Sequence, residues 1–159
     1  MNQAYLLIGG NQGNRHRFLQ QSIEEIRLHC GKIVSLSSVY ETAAWGKEDQ
    51  PPFLNQALEL ETVLEPLELL VCLLEIEKTM GRERTVKFGP RIIDIDILFF
   101  NDWILDMDRL TIPHPQLANR RFALEPLNEI APRWMHPVLH QTVHRLLMDC
   151  KDSLDVKKL

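Results

Sequence analysis

Cysteine is scarce in this sequence: the 159 residues contain only Cys30, Cys72 and Cys150. The three are odd in number and far apart in the chain, so they give neither a zinc-ligand spacing nor a plausible disulfide framework. Free thiols fit a reducing compartment. We therefore expect a cytoplasmic protein.

Long hydrophobic runs and a net positive charge are also absent. The chain begins MNQAYLLIGGNQGN, in which the apolar run is too short for a signal peptide or a membrane span and no basic segment precedes it. No membrane association is therefore expected. The formal net charge is −4 at pH 7, which argues against a general nucleic-acid partner. Any anion site must come from local clusters of Arg and Lys.

Familiar phosphate-loop and nucleophile motifs are missing as well. Gly9-Gly10-Asn11 follows a predicted strand, but it matches neither G-x-G-x-x-G nor a Walker loop. No Ser or Cys lies in a recognisable nucleophile setting. The sequence therefore points to none of these three kinds of site.

The apolar pattern predicts the order strand, helix, strand, strand, helix, strand, at about residues 4–8, 14–31, 32–40, 53–63, 66–81 and 92–99. Two βαβ-type units of this kind give a ferredoxin-like α+β sandwich, βαββαβ, with an antiparallel sheet and helices mainly on one face. A short strand at 103–105 and short helices at 122–130 and 139–150 are expected to form a C-terminal extension. We expect one domain, residues 1–159.

Two aspartates mark the last of these strands. Alternation along a strand divides its side chains between two faces. The face toward the helices receives Ile93, Ile95, Ile97 and Phe99, and the opposite face receives Asp94, Asp96, Leu98 and Phe100. Alternate residues lie about 6.6 Å apart at Cα, so both carboxylates can share one divalent cation or hold a pair.

Four cations, Arg82, Arg84, Lys87 and Arg91, come just before the aspartates. Carboxylates that can hold Mg²⁺ beside cations that can hold phosphate favour nucleotide phosphate chemistry. An ordinary half-exposed strand with its polar side in water explains the same residues about equally well.

Several separated motifs resemble one family. They are Gly89-Pro90-Arg91 running into Asp94-x-Asp96, Gly9-Gly10-Asn11, Gln50-Pro51-x-Phe53-Leu54-Asn55, Gly81-Arg82-x-Arg84, Leu110-Thr111-Ile112-Pro113-His114 and Asn119-Arg120-x-Phe122. Together they cover essentially the whole chain and resemble the 6-hydroxymethyl-7,8-dihydropterin pyrophosphokinases of folate synthesis. Motifs in the right order are far more specific than any one of them.

The resemblance implies an ATP-dependent diphosphotransferase that gives AMP and a pterin diphosphate. It implies ATP and 6-hydroxymethyl-7,8-dihydropterin as partners, and two Mg²⁺ ions held by Asp94 and Asp96. The implied catalytic residues are Arg82, Arg84, Arg91, Asp94 and Asp96. The implied ATP contacts are Arg82, Arg84, Arg91, Ile97, Arg109, Thr111, His114 and Arg120. We expect a monomer.

The resemblance also implies a pterin pocket. Its residues are Thr42, Ala43, Trp45, Phe53, Asn55, Asp94 and Phe122. Phe53 and Phe122 match two rings that stack on the pterin, and Asn55 matches an amide that hydrogen-bonds it. Arg121 stands where a small residue is common, which is expected to add a charge near the site.

Two other function classes stay open. A ferredoxin-like regulatory module that senses a nucleotide without turning it over predicts ATP binding that is indifferent to the aspartates. A ferredoxin-like nucleic-acid-binding domain is disfavoured by the acidic net charge and by the lack of a basic, aromatic surface stripe.

Overall fold

The computed structural model describes residues 1–43, 50–81 and 92–159. Its strands are β1 (Asn2–Gly10), β2 (Lys32–Leu36), β3 (Tyr40–Thr42), β4 (Phe53–Thr62), β5 (Asp94–Phe100), β6 (Leu105–Asp106), β7 (Thr111–Ile112) and β8 (Val156–Lys158). Its α-helices are α1 (Arg15–His29), α2 (Pro66–Thr79), α3 (Arg121–Ile130) and α4 (Val143–Asp149). A 3₁₀ turn covers Leu117–Asn119.

The two long helices begin and end at the residues that the sequence suggests. The side chain of Asn14 accepts a hydrogen bond from the backbone N–H of Arg17, which caps α1. Pro66 occupies the first turn of α2, where its missing N–H costs nothing. After α2, Gly81 has φ +92°, a left-handed conformation that favours glycine and stops the helix.

The main sheet has the strand order β5-β1-β4-β3-β8, and β2 pairs with the other end of β4. All of its pairs are antiparallel. Helices α1 and α2 cover one face, so the βαββαβ arrangement and its ferredoxin-like fold are confirmed. In the described residues, no helix is both long enough and apolar enough to span a membrane.

Two cores lie on opposite faces of the sheet. The α1/α2 core contains Leu6, Ile8, Ile23, Ile26, Leu58, Leu69, Leu73, Ile95 and Ile97, among others. The α3/α4 core contains Tyr5, Leu7, Ala57, Leu98, Phe99, Leu124, Leu127, Val143 and Leu146, among others. The C-terminal extension is thus a cover for the second face, as expected, although the last helix begins at Val143 rather than near residue 139.

The single strand predicted for residues 32–40 is divided in two. Ser37 interrupts it: its backbone N–H donates to the oxygen of Ala57 at 2.9 Å, and its Oγ accepts from the N–H of Ala57 at 2.9 Å. The side chain of Gln56 donates to the Ser37 oxygen at 2.7 Å. These side-chain hydrogen bonds take the place of regular ladder pairing after Leu36. The register shift of the β2–β4 ladder lies earlier, between Ile33 and Ser35.

The predicted faces of Phe99 and Phe100 were wrong. The β1–β5 register changes by one residue, from Tyr5↔Phe99 to Leu6↔Ile97, so Leu98 is an extra residue in β5. Phe99 therefore packs in the α3/α4 core, edge-on to Tyr5 with ring centroids 6.4 Å apart, and Phe100 packs in the α1/α2 core. The bulge follows Asp96, so the aspartates keep their predicted face.

Two of the cysteines meet although the sequence separates them by 42 residues. The Sγ atoms of Cys30, at the end of α1, and Cys72, in α2, lie 2.6 Å apart. Both are free thiols, and Cys30 is buried. Sequence spacing did not reveal this contact, because it depends on how the two helices pack.

Candidate active site

Three neighbouring strands place Asp94, Gly9 and Asn55 side by side. Gly9 of β1 pairs with Asp94 of β5 on one side and with Asn55 of β4 on the other. Paired residues in a sheet present their side chains on the same face. Strands lie about 4.8 Å apart, so Asp94 and Asn55 are separated by about 10 Å at Cα. We call these three residues the Gly9 row.

The Gly9 row lies on the same face as the α3/α4 core, beyond its edge. Along β1, Tyr5 and Leu7 belong to that core, and Gly9 is the next residue on their face. Asp96 pairs with Leu7, one row nearer the core. Asp94 and Asp96 are each partly exposed. The two carboxylates therefore lie at the border between the part of the sheet that α3 and α4 cover and the part that is more exposed.

Glu77 supports the strand between the two aspartates. This α2 side chain is 2% exposed, and its Oε2 accepts a hydrogen bond from the backbone N–H of Ile95 at 2.9 Å. Because β5 is an edge strand, that N–H would otherwise face outward from the sheet. Nothing in the sequence selects Glu77, because a glutamate in an amphipathic helix is usually exposed to solvent.

The segment after β7 brings His114, Arg120 and Phe122 to the same region. The backbone N–H of His114 donates to the Leu98 oxygen of β5 at 3.0 Å, and Leu117 is buried in the α3/α4 core. These contacts fix the segment beside the aspartates. The guanidinium carbon of Arg120 lies 5.6 Å from the centre of the Phe122 ring, a cation–π contact at the start of α3.

Burial and charge keep His114 neutral. The pKa of His114 is lowered from 6.5 to about 4, mainly by burial and also by the positive charge of Arg120, while the negative charge of Asp94 opposes the shift. Its Nδ1 accepts a hydrogen bond from the backbone N–H of Gln116 at 3.2 Å, so the ring proton is on Nε2. At neutral pH this side chain is a hydrogen-bond donor through Nε2 and carries no charge.

The stretch before β4 is fixed by β1 and α1. Asn11 is 2% exposed, and its amide nitrogen donates to the side chain of Gln50 and to the oxygen of Pro51, both at 3.0 Å. Arg15 donates to the oxygen of Pro52 at 3.0 Å. Phe53 follows directly and is half-buried. Asn11 therefore helps to position the chain just before Phe53. The motif Gly9-Gly10-Asn11 did not by itself indicate this role.

Thr42 and Ala43 lie at the edge of this region. Thr42 pairs with Phe53 and with Val156, and its hydroxyl donates to the Asp155 oxygen at 2.9 Å. Its side chain is therefore engaged by the C-terminal segment. Ala43 is exposed.

The structure also describes Ile97, Arg109 and Thr111, three more of the ATP contacts that the resemblance implies. The side chain of Ile97 is buried in the α1/α2 core, on the face opposite the aspartates. Arg109 is exposed in the turn between β6 and β7, and Thr111 begins β7. Arg82, Arg84, Arg91 and Trp45 lie outside the described residues.

Arg121 is engaged by the C-terminal segment. Its guanidinium donates to the oxygens of Cys150 and Asp152 at 3.0 and 3.1 Å, and it lies 3.5 Å from Glu125. This arginine therefore joins α3 to the C-terminal segment, and its effect on the site stays a prediction.

Asp94 and Asp96 are the groups suited to a divalent cation. Among the described residues, no cluster of three or more His, Cys, Asp or Glu side chains forms a complete metal site. Mg²⁺ is usually bound by one or two carboxylates together with water and substrate phosphates, so a pair of aspartates on one strand face fits this ion.

The sequence is similar to known pyrophosphokinases. A family model described as 7,8-dihydro-6-hydroxymethylpterin-pyrophosphokinase (HPPK) matches residues 5–132. The 2-amino-4-hydroxy-6-hydroxymethyldihydropteridine pyrophosphokinase of Bacillus subtilis is 44% identical over 130 residues, which cover 81% of this chain and 78% of the relative. The enzyme of the same name from Aquifex aeolicus is 42% identical, over 87% of this chain and 86% of the relative.

Longer proteins contain a similar region. The folic acid synthesis protein FOL1 of Dictyostelium discoideum is 39% identical over 99% of this chain, but this chain spans only 24% of that protein. A Plasmodium falciparum HPPK-DHPS chain of known structure superposes with a TM-score of 0.79 at 23% identity, covering 92% of this chain and 44% of that chain. At this identity the structural match supports the fold.

Proposed function

The chain belongs to the 7,8-dihydro-6-hydroxymethylpterin-pyrophosphokinase family, and we propose that its reaction takes place over the Gly9 row. The reaction transfers diphosphate from ATP to the hydroxymethyl group of 6-hydroxymethyl-7,8-dihydropterin in folate synthesis. The alternative of a regulatory module without catalysis is wrong, because relatives at 42–44% identity are pyrophosphokinases.

The observation that carries the placement is the spacing within the Gly9 row. Asn55 and Asp94 face the same way about 10 Å apart at Cα, and Gly9 between them has no side chain, so the Asn55 amide lies flat over it. A flat two-ring heterocycle with a short hydroxymethyl arm can lie on this row. Its amide-like edge would meet Asn55, which offers both a donor and an acceptor. Its hydroxymethyl oxygen would then point toward Asp94.

Stacking would complete the pterin pocket. We propose that Phe53 and Phe122 lie on the two sides of the heterocycle, each pair contributing about 0.5–1.5 kcal/mol beyond simple burial. Arg120 lies over Phe122, so a ligand on that ring would also sit close to a guanidinium. The main chain around Thr42, Ala43 and Trp45 is proposed to meet the edge of the pterin.

The triphosphate would lie on the other side of the aspartates. We propose that Arg120 and His114 bind its oxygens. Arg120 would do so through its charge, and His114 through a hydrogen bond from its Nε2–H. The proposal extends to Arg109, Thr111 and the main chain of Ile97 for ATP, and to Arg82, Arg84 and Arg91 as catalytic cations. Bidentate contacts suit arginine at phosphate.

Asp94 and Asp96 would hold magnesium with the phosphate oxygens, and we propose two ions. Bound there, the metal would supply positive charge that offsets the charge of the phosphate groups in the transition state. The hydroxymethyl oxygen forms a new bond to the β-phosphorus, its proton passes to a phosphate oxygen, and the bond from that phosphorus to the oxygen shared with the α-phosphorus breaks. AMP leaves, and the pterin keeps the diphosphate.

Identification of the nucleotide product tests this function. Wild-type chain incubated with ATP, Mg²⁺ and 6-hydroxymethyl-7,8-dihydropterin should give one AMP for each pterin diphosphate, measured by phosphorus NMR. Stoichiometric ADP would contradict diphosphate transfer. Omission of the pterin is the matched control, because AMP formed without it would come from hydrolysis.

We further propose that residues 1–159 form one domain that acts as a monomer in the cytoplasm, without nucleic-acid or membrane partners. The α3/α4 core combines Tyr5 and Leu7 of β1 with Val143 and Leu146 of α4, which supports one cooperative unit. Light scattering after gel filtration should give a mass near 18.5 kDa. A mass of about twice that value would contradict the monomer.

A further inference from the structure

Gly9 stands at a position where any side chain would collide with Asn55. A Cβ atom built on Gly9 would lie 2.1 Å from Asn55 Oδ1 and 3.1 Å from Asn55 Cγ. Asn55 is 5% exposed, so its amide is packed flat across the central strand rather than turned to solvent. The first glycine of the motif Gly9-Gly10-Asn11 therefore lies directly beneath the side chain of Asn55, a residue of the proposed pterin pocket.

Backbone conformation does not explain the glycine. The described glycines with positive φ are Gly13, Gly31 and Gly81, and Gly9 is not among them. It lies in a regular part of β1, paired on both sides. Any residue adopts such an extended conformation, so the constraint on Gly9 is the space above it.

The collision would move the amide in preference to the strand. The atom nearest to the built Cβ is the end of a side chain, which can rotate. The nearest backbone atom, the Leu54 oxygen, lies at 3.0 Å, a tight contact that a shift of a few tenths of an ångström would relieve. Leu54 is held by its pairing with Gly10 in the β1–β4 ladder. An added methyl group is therefore expected to displace the Asn55 amide much farther than the strand.

We propose that Gly9 is a positioning residue for the pterin: its missing side chain allows the Asn55 amide to lie in the orientation that binds the heterocycle. This inference rests on the proposed function, because it takes Asn55 as the pterin contact. It assigns the first glycine of the motif to substrate recognition rather than to phosphate binding or to a turn.

A double-mutant cycle tests the proposal. Gly9→Ala, Asn55→Ala and the double variant are compared with the wild type by calorimetric titration with 6-hydroxymethyl-7,8-dihydropterin, in the presence of the non-reacting analogue α,β-methylene-ATP and Mg²⁺. Gly9→Ala should weaken pterin binding about tenfold or more, the effect of losing about one buried hydrogen bond. The double variant should bind as weakly as Asn55→Ala alone, since no amide remains to be displaced.

Two controls separate a local effect from a general one. Affinity for the ATP analogue, titrated alone, should change less than about twofold in Gly9→Ala. Gln56→Ala removes the neighbouring amide of β4, which donates to the backbone oxygen of Ser37, and should leave pterin affinity unchanged. Circular dichroism melting shows whether each variant is folded.

The outcomes are distinct. Unchanged pterin affinity in Gly9→Ala would overturn the proposal. So would a result in which Gly9→Ala weakens pterin binding equally in the wild-type chain and in the Asn55→Ala variant. If Gly9→Ala is unfolded and the double variant is folded, the collision with Asn55 is supported; if both are unfolded, Gly9 serves the strand itself and the proposal is wrong. A wild-type chain that does not bind the dihydropterin would refute the proposed function instead.

Discussion

Protonation of His114 should destabilise the folded protein by a measurable amount. The pKa of His114 falls from 6.5 to about 4 on folding, mainly because the ring is buried, with Arg120 adding to the effect and Asp94 opposing it. Between these two pH values, His114 is therefore protonated to a greater extent in the unfolded chain than in the folded protein. Stability from this group is complete above about pH 6.5 and is lost as the pH falls toward about 4.

The magnitude follows from the size of the shift. A difference of about 2.5 pH units is worth about 3.4 kcal/mol, because one unit corresponds to about 1.36 kcal/mol. Most of this loss is already present at moderate acidity: at pH 5 the linkage relation gives about 2 kcal/mol. A second histidine, His136, also has a lowered pKa through burial and the nearby His140, so wild-type pH dependence alone does not isolate His114.

His114→Asn provides the comparison. An asparagine oxygen can accept the backbone N–H of Gln116 as Nδ1 does, and it does not titrate. Free energies of unfolding from urea titrations of metal-free protein at pH 7, 6 and 5 should fall by about 2 kcal/mol more in the wild type than in the variant. Equal losses in the two proteins, or a His114 NMR titration midpoint near 6.5, would contradict the lowered pKa of His114 in the folded protein.

Variants at three further positions test the packing and hydrogen bonds around the site, each measured by urea unfolding. Phe99→Ala empties a fully buried position and should cost about 3–5 kcal/mol; a loss below about 1 kcal/mol would contradict its place in the α3/α4 core. Tyr40→Phe removes the hydroxyl that donates to Glu129 at 2.6 Å and should cost about 1–2 kcal/mol at pH 7; the same loss at about pH 3 would argue against a charged acceptor. Glu77→Ala leaves the Ile95 N–H without this acceptor and should cost about 1–3 kcal/mol, whereas Glu77→Gln keeps an acceptor oxygen and should cost less; equal costs would show that the bond is unimportant.

The βαββαβ order was predictable because each element carries a clear local signal. Strand alternation and helical spacing persist over several residues, and Asn14, Pro66 and Gly81 mark helix ends by chemistry that does not depend on the rest of the fold. The face of Asp94 and Asp96 was predictable for the same reason, since the pattern of their strand is regular up to that point.

The structure differs from the predictions at positions where the geometry of one strand depends on how it pairs with its neighbour. The extra residue at Leu98 and the interruption at Ser37 are set by how β5 and β2 pair with longer strands, and a single sequence does not specify a bulge. Both phenylalanines after Leu98 are apolar, so exchanging their faces changes no polar contact. The local pattern therefore contains no warning of the change.

The supporting residues of the site were hidden for a related reason. Glu77 reads as a surface residue of a helix until the packing of α2 on β5 is known, and Gly9 reads as part of a turn until its row is known. The roles of Asp94, Asp96, Asn55 and the other contacts came from resemblance to a family. They stay predictions for this chain.

The most direct test of the account is the rate of AMP formation in Asp96→Asn. Asparagine keeps the size of the side chain and removes the charge that would hold magnesium. We expect this variant to bind the dihydropterin normally and to form AMP about a thousandfold more slowly than the wild type at saturating ATP and Mg²⁺. Asp102→Asn, an exposed carboxylate after the far end of β5, should keep the wild-type rate. A near-wild-type rate in Asp96→Asn would contradict the placement of the metal and triphosphate on this strand.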